Sequence, residues 1–372
     1  MRASEKLCRL AALLKAAGIE DPRREAEEIL LLALGIDRAR LIAGDPEVDA
    51  ETERLRLAPI VEMRLRRVPL EYIAGSVEFL GLTIKVGPGV LIPRPETELL
   101  VQETIKLVNN KFTPEKPTTG NLRILDLCTG SGCIALAIAQ ALASGRVDAV
   151  DVSAAALGYA RKNASINGIE NVRFMEGRMF EPIEAGRRYD LVVSNPPYIK
   201  SADVAGLQPE ISLHEPHEAL DGGADGLDFY REILSAAAGF LSSGGFVVLE
   251  AGFGQAADIA DIARRAGFSG VRFIADYGGV ERIAVIDGFT VIESIPEIDE
   301  IPAIESIPVI DGIPVIDGIA AIDGIAAIER ITEIERIPVI DGIPVIERIP
   351  VIDGISAIDG IPVIESIPVI DG

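Results

Sequence analysis

The stretch from 122 to 151 constrains the fold of this chain more than any other. It contains an apolar run at 122–127, a loop of small residues at 128–132, a helical pattern at 133–143 and a second apolar run at 147–150. Strand, tight turn, helix and strand in this order form a βαβ unit, in which the strands are parallel and the crossover is right-handed. The sequence therefore predicts an α/β fold with a Rossmann-like sheet.

The loop of this unit and the end of its second strand form a nucleotide-binding pattern. Gly130 and Gly132 allow a ligand to approach the backbone closely, and the N-terminus of the next helix favours polar or negative groups. Asp151 follows Gly132 by 19 residues, the spacing at which an acid meets ribose hydroxyls. The pattern is generic, because Gly130-x-Gly132-x-x-Ala135 also fits dinucleotide binding and Asp151 also fits a solvated acid at a strand end.

A further apolar strand, 191–193, runs into Ser194 and then Asn195-Pro196-Pro197-Tyr198. Pro fixes φ, lacks an N–H and pushes the preceding residue out of the helical region, so Asn195 is expected to be extended at the strand tip. The Asn195 side-chain oxygen and the Pro196 carbonyl can accept both N–H groups of one –NH2. Tyr198 can lie against its flat face. The alternative interpretation is an ordinary turn that ends a strand.

Such a rim suits a planar amide or amine. An amide nitrogen is a poor nucleophile, because its lone pair is delocalised. Holding both of its hydrogens would orient that nitrogen toward an electrophile, which is catalysis by positioning. Together with the upstream nucleotide-type loop, the rim favours methyl transfer over hydride transfer, with Asn195, Pro196 and Tyr198 as the catalytic candidates.

Length, charge and cysteine content limit the class of protein. The chain has 372 residues, enough for two to three domains, and a net charge of −23. Cys8, Cys128 and Cys133 show no disulfide framework and no metal-ligand spacing, which indicates a reducing compartment. The charged N-terminus predicts no signal peptide, and no apolar run is long enough for a membrane span. We therefore expect a cytoplasmic protein without a metal site.

Four segments differ in their patterns. Residues 1–68 show helical spacing of apolar residues and predict a small helical domain. Residues 69–95 predict a β-hairpin linker, and residues 96–288 hold the βαβ unit and the rim. Residues 289–372 form a tail of repeats.

Two details of the helical segment lead to expectations. Asp21-Pro22 predicts a helix that begins with a side-chain cap and a first-turn Pro. Arg64, Arg66 and Arg67 form a basic cluster in an acidic chain. The cluster favours a solvated helix face, and contact with a partner that carries nucleic acid is the alternative.

Several short stretches, taken in order, resemble one family, the release factor glutamine methyltransferases, also called HemK or PrmC. Each stretch is weak singly, and the order over about residues 1–288 is specific. The stretches are Pro69-Leu70-Glu71-Tyr72-Ile73-Ala74-Gly75, Ile92-Pro93-Arg94-Pro95-Glu96-Thr97-Glu98, DLCTGSG at 126–132, NPPY at 195–198, Glu215-Pro216 with Ala219-Leu220, and Leu249-Glu250-Ala251-Gly252.

The resemblance implies a class I methyltransferase domain that uses S-adenosyl-L-methionine. It also implies the substrate, which would be the glutamine of the Gly-Gly-Gln motif in class 1 peptide chain release factors, methylated on its side-chain nitrogen. The helical domain would then grip the body of the release factor. Three alternatives stay open: methylation of a nucleobase amino group, methylation of another protein glutamine, and a non-catalytic interaction protein built on the repeats. The acidic chain disfavours direct DNA binding.

The resemblance also implies roles for single residues. The loop at 128–132 would cradle the methionine part of the cofactor, Asp151 would bind its ribose, and Met179 would pack on its adenine. Glu250 would help to hold the glutamine backbone, with a solvated strand-end acid as the alternative. The implied cofactor-binding residues are Cys128, Thr129, Gly130, Ser131, Gly132, Asp151, Met179 and Asn195. The implied substrate-binding residues are Leu91, Asn195, Pro196, Pro197, Tyr198 and Glu250.

One position departs from the family pattern. Within 176–180 the family usually has an acid that meets the adenine, and this chain has Arg178 in its place. Arg has no hydrogen-bond acceptor, so weaker or altered cofactor binding is expected. Two further candidates are weak: the stretch 214–217 (His-Glu-Pro-His) favours a loop over a metal site, and Cys128 favours packing over nucleophilic attack, because no base neighbours it.

From residue 283 the chain repeats a six-residue unit of the form Ile-Pro-Val-Ile-Asp-Gly. The regular Pro and the period of six exclude a helix. The repeats predict either a three-sided β-helix or a disordered, aggregation-prone tail. The first copy, 283–288, is expected to be the last strand of the methyltransferase domain.

Overall fold

The computed structural model describes residues 1–111 and 122–289, which lie in one compact unit. The β-helix and disorder predictions for the repeats fall on residues outside this description. The domain boundaries at 68, 95 and 288 stay predictions.

The helices are α1 (Ala3–Ala16), α2 (Pro22–Leu34), α3 (Arg38–Gly44), α4 (Ala50–Thr52), α5 (Ala58–Leu65), α6 (Leu70–Ala74), α7 (Pro95–Lys111), α8 (Cys133–Ala141), α9 (Ala154–Asn167), α10 (Ser201–Val204), α11 (Pro209–His214), α12 (Asp228–Ala237) and α13 (Ala256–Arg265). A π-helical turn, Glu53–Leu57, joins α4 to α5, and a 3₁₀ turn, His217–Ala219, follows α11. The strands are β1 (Ser76–Phe79), β2 (Leu82–Lys85), β3 (Arg123–Leu127), β4 (Arg146–Asp151), β5 (Val172–Glu176), β6 (Tyr189–Ser194), β7 (Leu241–Glu250), β8 (Gly270–Ala275) and β9 (Glu281–Asp287).

The helical segment folds because α1, α2 and α5 each present an apolar face to a shared core. Leu14, Ile29 and Leu30 are fully buried at its centre. Pro22 begins α2 as predicted, but the predicted cap is wrong: Asp21 adopts a left-handed φ of 45° and its side chain makes no capping hydrogen bond. The helix relies on its buried face rather than on its cap.

Two arginines of the basic cluster form ion pairs within the protein. Arg64 is only 3% exposed and pairs with Glu25 of α2 at 2.5 Å and with Glu210 of α11 at 2.6 Å. Arg67 pairs with the same Glu210 at 2.9 Å. The solvated-face interpretation is therefore wrong for both arginines, and their charges are already neutralised. Arg66 is exposed.

A hairpin connects the helical segment to the sheet. β1 and β2 pair antiparallel, with Phe79 opposite Leu82. Between them, Leu80 and Gly81 have φ values of 49° and 80°, which fits the right-handed twist that a two-residue hairpin loop needs. The Asn163 side chain of α9 bonds both the N–H and the carbonyl of Lys85, at 2.7 and 3.1 Å. The hairpin is thus tied to the helix layer of the sheet.

The main sheet has seven strands in the order β5-β4-β3-β6-β7-β9-β8. The first five are parallel, and β9 is antiparallel to both of its neighbours. The predicted βαβ unit is β3-α8-β4, which confirms the parallel sheet. The first repeat copy lies in β9, so its assignment as the last strand is confirmed as well.

Helices cover both faces of this sheet. Successive strand residues alternate between the faces, so Ile124 packs with α7, α8 and α9 while Leu125 packs with α12 and α13. The strand order reverses next to β3, since the chain passes from β3 to β4 on one side and later places β6 on the other. Ligands of such sheets bind at the carboxyl ends of the strands at this switch point. The fold therefore brings the loop after β3 and the rim after β6 to one place.

Among the residues described, no helix has the length and apolar character that a membrane span needs.

Candidate active site

A cavity opens at the carboxyl ends of β3, β4 and β6. It encloses about 1070 Å³ of empty space, part of which is open to solvent. Nine of the predicted site residues line it: Leu91, Cys128, Thr129, Gly130, Ser131, Asp151, Met179, Asn195 and Pro197. Four predicted residues lie outside its lining: Gly132, Pro196, Tyr198 and Glu250.

The loop after β3 is formed mainly by backbone geometry. Cys128 and Gly130 have left-handed φ values of 57° and 54°. A Cβ on Gly130 would meet no atom of the described residues within 4 Å, so its backbone faces open space there. At Gly132, by contrast, a Cβ would lie 3.1 Å from the Cβ of Ala160, so glycine allows the loop to pack against α9. Gly132 shapes the loop from behind the cavity.

Asp151 braces this loop. Its carboxylate accepts hydrogen bonds from the backbone N–H of Gly130 at 2.7 Å and of Ser153 at 2.9 Å. Burial raises the pKa of Asp151, and these two N–H groups oppose that shift. The acid is half-buried in the cavity wall rather than solvated, so the strand-end alternative does not describe it.

On the other side of the cavity, side chains form a connected chain of hydrogen bonds. The amide nitrogen of Asn195 donates to the hydroxyl of Thr97 at 3.1 Å, and that hydroxyl donates to Glu250 at 2.7 Å. The Tyr198 hydroxyl donates to the other oxygen of Glu250 at 3.3 Å. The ends of β6 and β7 and the first turn of α7 are joined in this way.

Glu250 is the buried centre of this chain. It is 1% exposed, so the interpretation as a solvated strand-end acid is wrong. Burial raises the pKa of Glu250 to about 7, against the hydrogen bonds from Thr97 and Tyr198. Burial also raises the pKa of Tyr198, and the neighbouring Glu250 adds to that shift.

The rim itself is held by its surroundings. The Gln255 side chain donates to the carbonyls of Tyr198 and Gly226, at 3.0 and 3.1 Å, and accepts from the N–H of Gly252 at 3.0 Å. Pro196 and Pro197 are buried. The backbone after Asn195 is therefore held by Gln255 and by the burial of the two prolines.

Residues 178 and 179 line the adenine side proposed from the sequence. Met179 is buried in a left-handed conformation with φ of 46°. The Arg178 guanidinium pairs with Glu232 of α12, with Nε 3.0 Å from the carboxylate, and lies 5.6 Å from the ring of Phe229. Its charge is therefore engaged with α12, and the expected weakening of cofactor binding stays a prediction.

The two weaker site candidates, Cys128 and the stretch 214–217, have structural roles. Burial raises the pKa of the Cys128 thiol, which opposes a role as a nucleophile. His214 ends α11, and Glu215 is buried, accepting from Arg94 at 2.5 Å and from the N–H of Ile92 at 3.3 Å. Among the described residues, no group of three His, Cys, Asp or Glu could hold a metal ion.

Sequence reasoning missed Thr97 as a site residue. It stands inside a stretch that carries the family resemblance, but its partners are 98 and 153 residues away in the chain. Glu218 and Phe229 of the cavity lining were missed too. Glu218 stands between Glu215-Pro216 and Ala219-Leu220, two pairs that carry the family resemblance, and this position could have indicated its role.

A seven-stranded sheet in this order, with one antiparallel strand next to its edge and a cavity at the switch point, defines a class I methyltransferase. Comparison of the sequence with known protein families leads to the same class. The family model "Methyltransferase small domain" matches residues 106–224, and "PrmC N-terminal domain" matches residues 5–75.

Curated relatives named "Release factor glutamine methyltransferase" match most of the chain. The protein from Thermodesulfovibrio yellowstonii is 43% identical over 266 residues, covering 71% of this chain and 91% of the relative. The protein from Geobacter sulfurreducens is 41% identical, covering 72% and 89%. The protein from Bacillus subtilis is 38% identical, covering 73% and 93%. The chain belongs to the release factor glutamine methyltransferase family.

Proposed function

We propose that this protein transfers the methyl group of S-adenosyl-L-methionine to the side-chain amide nitrogen of the glutamine in the Gly-Gly-Gln motif of class 1 peptide chain release factors. The observation that carries the proposal is the amide of Asn195 at the cavity, with its nitrogen turned to Thr97. Its oxygen accepts no hydrogen bond from the described residues and can accept one from a substrate –NH2. The names of the relatives support the choice of substrate.

The cavity suits the proposed methyl donor. The open backbone at Gly130 allows close approach, and the Asp151 carboxylate stands beside it. Asp151 and Glu218 both line the cavity, and the Arg178 charge in the lining is paired with Glu232. This negative balance favours a positively charged ligand. When bound, S-adenosyl-L-methionine supplies an electrophilic methyl group on a sulfonium.

The residues of the chain contribute positioning. Asn195 would accept one N–H of the glutamine amide. The carbonyl of Pro196, which lies outside the cavity lining, is proposed to accept the other. Held this way, the nitrogen would face the methyl group, and such an orientation of two reacting groups lowers the barrier to their reaction. When bound, the sulfonium would give its methyl group to this nitrogen and become a neutral thioether, and the proton that the amide nitrogen loses would pass to solvent water at the open side of the cavity.

Tyr198 and Glu250, which the sequence suggested as substrate-contacting residues, are proposed to support the rim instead. Both lie outside the cavity lining, and both are joined to Asn195 through Thr97. We propose that they fix the rim, and their direct contact with the substrate stays a prediction. Binding of the release factor by residues 1–68 is likewise proposed, and it must use groups other than Arg64 and Arg67. The cytoplasm, where release factors act, is the proposed location.

The test is mass spectrometry of a purified class 1 release factor after incubation with the protein and S-adenosyl-L-methionine. We expect one methyl group on the glutamine of the Gly-Gly-Gln motif. Asn195→Ala should lower the rate about 100-fold or more while the fold, measured by circular dichroism, is kept. The exposed Asn110→Ala in α7 is the control and should behave as the wild type.

An unmodified release factor, with cofactor shown to bind, would contradict the proposed substrate and direct the search to another amide or amine. Full activity in Asn195→Ala would contradict the amide-holding role of the rim.

A further inference from the structure

The hydroxyl of Thr97 lies between the amide of Asn195 and the carboxyl of Glu250. The distances are 3.1 Å to the Asn195 nitrogen and 2.7 Å to the nearer Glu250 oxygen. Thr97 is 2% exposed and is the third residue of α7, so its position is fixed by a 17-residue helix that packs on the sheet. The relative placement of these three groups is therefore set by the fold.

Counting donors and acceptors gives this contact a direction. A threonine hydroxyl has one hydrogen to donate and lone pairs that accept. Above its raised pKa, Glu250 is ionised and can only accept, so in that state the hydrogen of Thr97 points at Glu250. Only acceptor capacity then remains on the Asn195 side. The Asn195 amide must present its –NH2 to Thr97, which leaves its oxygen on the other side.

Without the hydroxyl, nothing in this contact would distinguish the two ends of the Asn195 amide. An amide turned by 180° would present its –NH2 to the –NH2 of the substrate, donor against donor. The substrate nitrogen would then lose an acceptor that orients it.

We infer that Thr97 is a positioning residue that, through its bond to Glu250, sets which end of the Asn195 amide faces the glutamine substrate. The inference rests on the proposed function, since it names the residue that aims the proposed amide holder. Tyr198 supports it from the opposite side, because its hydroxyl occupies the other oxygen of Glu250. The Tyr230 hydroxyl, bonded to the backbone carbonyl of Glu250 at 2.9 Å, holds the end of β7.

Substitutions at Thr97 test this in the full-length protein at a pH well above 7, where Glu250 is ionised. Thr97→Val keeps the shape and removes the hydroxyl, and Thr97→Ser keeps the hydroxyl. We expect Thr97→Val to lower kcat for release factor methylation about 10- to 100-fold, the scale of a misplaced reacting group, with KM and cofactor affinity unchanged. Thr97→Ser should restore most of kcat, which a purely structural role of the threonine methyl group would not allow.

Thr104 offers a matched control on the same helix. It is fully buried in α7, and its hydroxyl has no hydrogen-bond partner within the described part of the chain. Thr104→Val therefore makes the same chemical change at a buried position outside the site, and we expect wild-type kcat. Equal losses in Thr97→Val and Thr104→Val would overturn the inference, because the cause would then be the packing of α7.

A second measurement does not need the release factor. In protein labelled with ¹⁵N-asparagine, the side-chain signal of Asn195 is identified by its absence in Asn195→Ala. Slow hydrogen exchange of this –NH2 is expected in the wild type and in Thr97→Ser, and fast exchange in Thr97→Val. Thr97→Ala, which also lacks the hydroxyl, replaces Thr97→Val if that variant does not fold.

The two measurements separate the two proposals. A wild type that leaves the release factor unmethylated defeats the proposed function, while the exchange of the Asn195 –NH2 still decides whether Thr97 holds it. Methylation that proceeds equally well in Thr97→Val and wild type defeats the role of Thr97 and leaves the proposed function standing. Exchange that is equal in both proteins defeats it as well.

Discussion

The cavity has two sides that are formed in different ways. On the side proposed for the cofactor, the loop after β3 and Asp151 contact each other through backbone N–H groups, and the bonded residues Gly130 and Asp151 are 21 positions apart. On the side proposed for the substrate, the contacts join side chains that are 98 and 153 positions apart. One βαβ unit is enough to bring the loop after β3 and Asp151 together, whereas the contacts of the second side exist only when α7, β6 and β7 have all assembled.

This difference explains what the sequence could predict. The glycine loop, the helix after it and the acid at the end of β4 follow from local periodicity and spacing, and the structure places them as expected. Errors on this side are small: α8 ends at Ala141 rather than at residue 143, since helix ends depend on local packing.

On the substrate side, only the local part was predictable. The position of Asn195 directly after the end of β6 followed from the apolar run before it and the two prolines after it. The burial of Glu250 did not, because an acid at a strand end is usually solvated, and only the packed fold encloses it with Thr97 and Tyr198. The ion pair of Arg64 with Glu210, 146 positions away, escaped prediction for the same reason.

The largest effect we predict concerns the cost of burying Glu250 on the substrate side. Its native pKa of about 7 lies above the ordinary 4.5, because burial disfavours the charged form. A carboxyl whose native pKa is raised stabilises the fold fully below the unfolded pKa, and this contribution is lost as pH rises through the native pKa. The loss between pH 4.5 and about 7 is on the order of 3 kcal/mol.

Glu250→Gln removes this titration and keeps the size of the side chain. Denaturant unfolding of wild type and variant between pH 4.5 and pH 8 measures the difference in their unfolding free energies. The wild type should lose stability relative to the variant as pH rises. Other buried acids, such as Asp126 with its pKa raised by burial to about 7, are present in both proteins and cancel in the difference. Parallel pH curves would contradict the prediction.

A smaller effect is expected on the cofactor side. Asp151→Asn replaces an acceptor of two backbone N–H groups by an amide that turns its own –NH2 toward one of them. Loss of one charge-assisted hydrogen bond weakens binding of S-adenosyl-L-methionine about tenfold. Calorimetry measures this change in cofactor affinity. The KM for the release factor should stay unchanged, because Asp151 lies on the cofactor side.

Asp190 is the matched control for Asp151. Its carboxylate also accepts a backbone N–H, that of Arg123, at 2.9 Å, but it lies at the start of β6, at the other end of the sheet. Asp190→Asn should keep the cofactor affinity of the wild type. An equal loss of cofactor affinity in both variants would mean that any disturbance of the sheet weakens cofactor binding. The effect could then not be assigned to the cofactor side of the cavity.

The smallest effect concerns residues beyond the described part of the chain. Every contact assigned to either side lies within residues 1–289, so removal of 290–372 should leave kcat and cofactor affinity unchanged. Truncation after Gly288 goes one residue further and removes Phe289, whose ring contacts Phe268 edge to face with centroids 5.6 Å apart. We expect this shorter form to keep its activity and to be about 1 kcal/mol less stable in denaturant unfolding. A folded truncation without activity would show that the two sides are incomplete without the repeats.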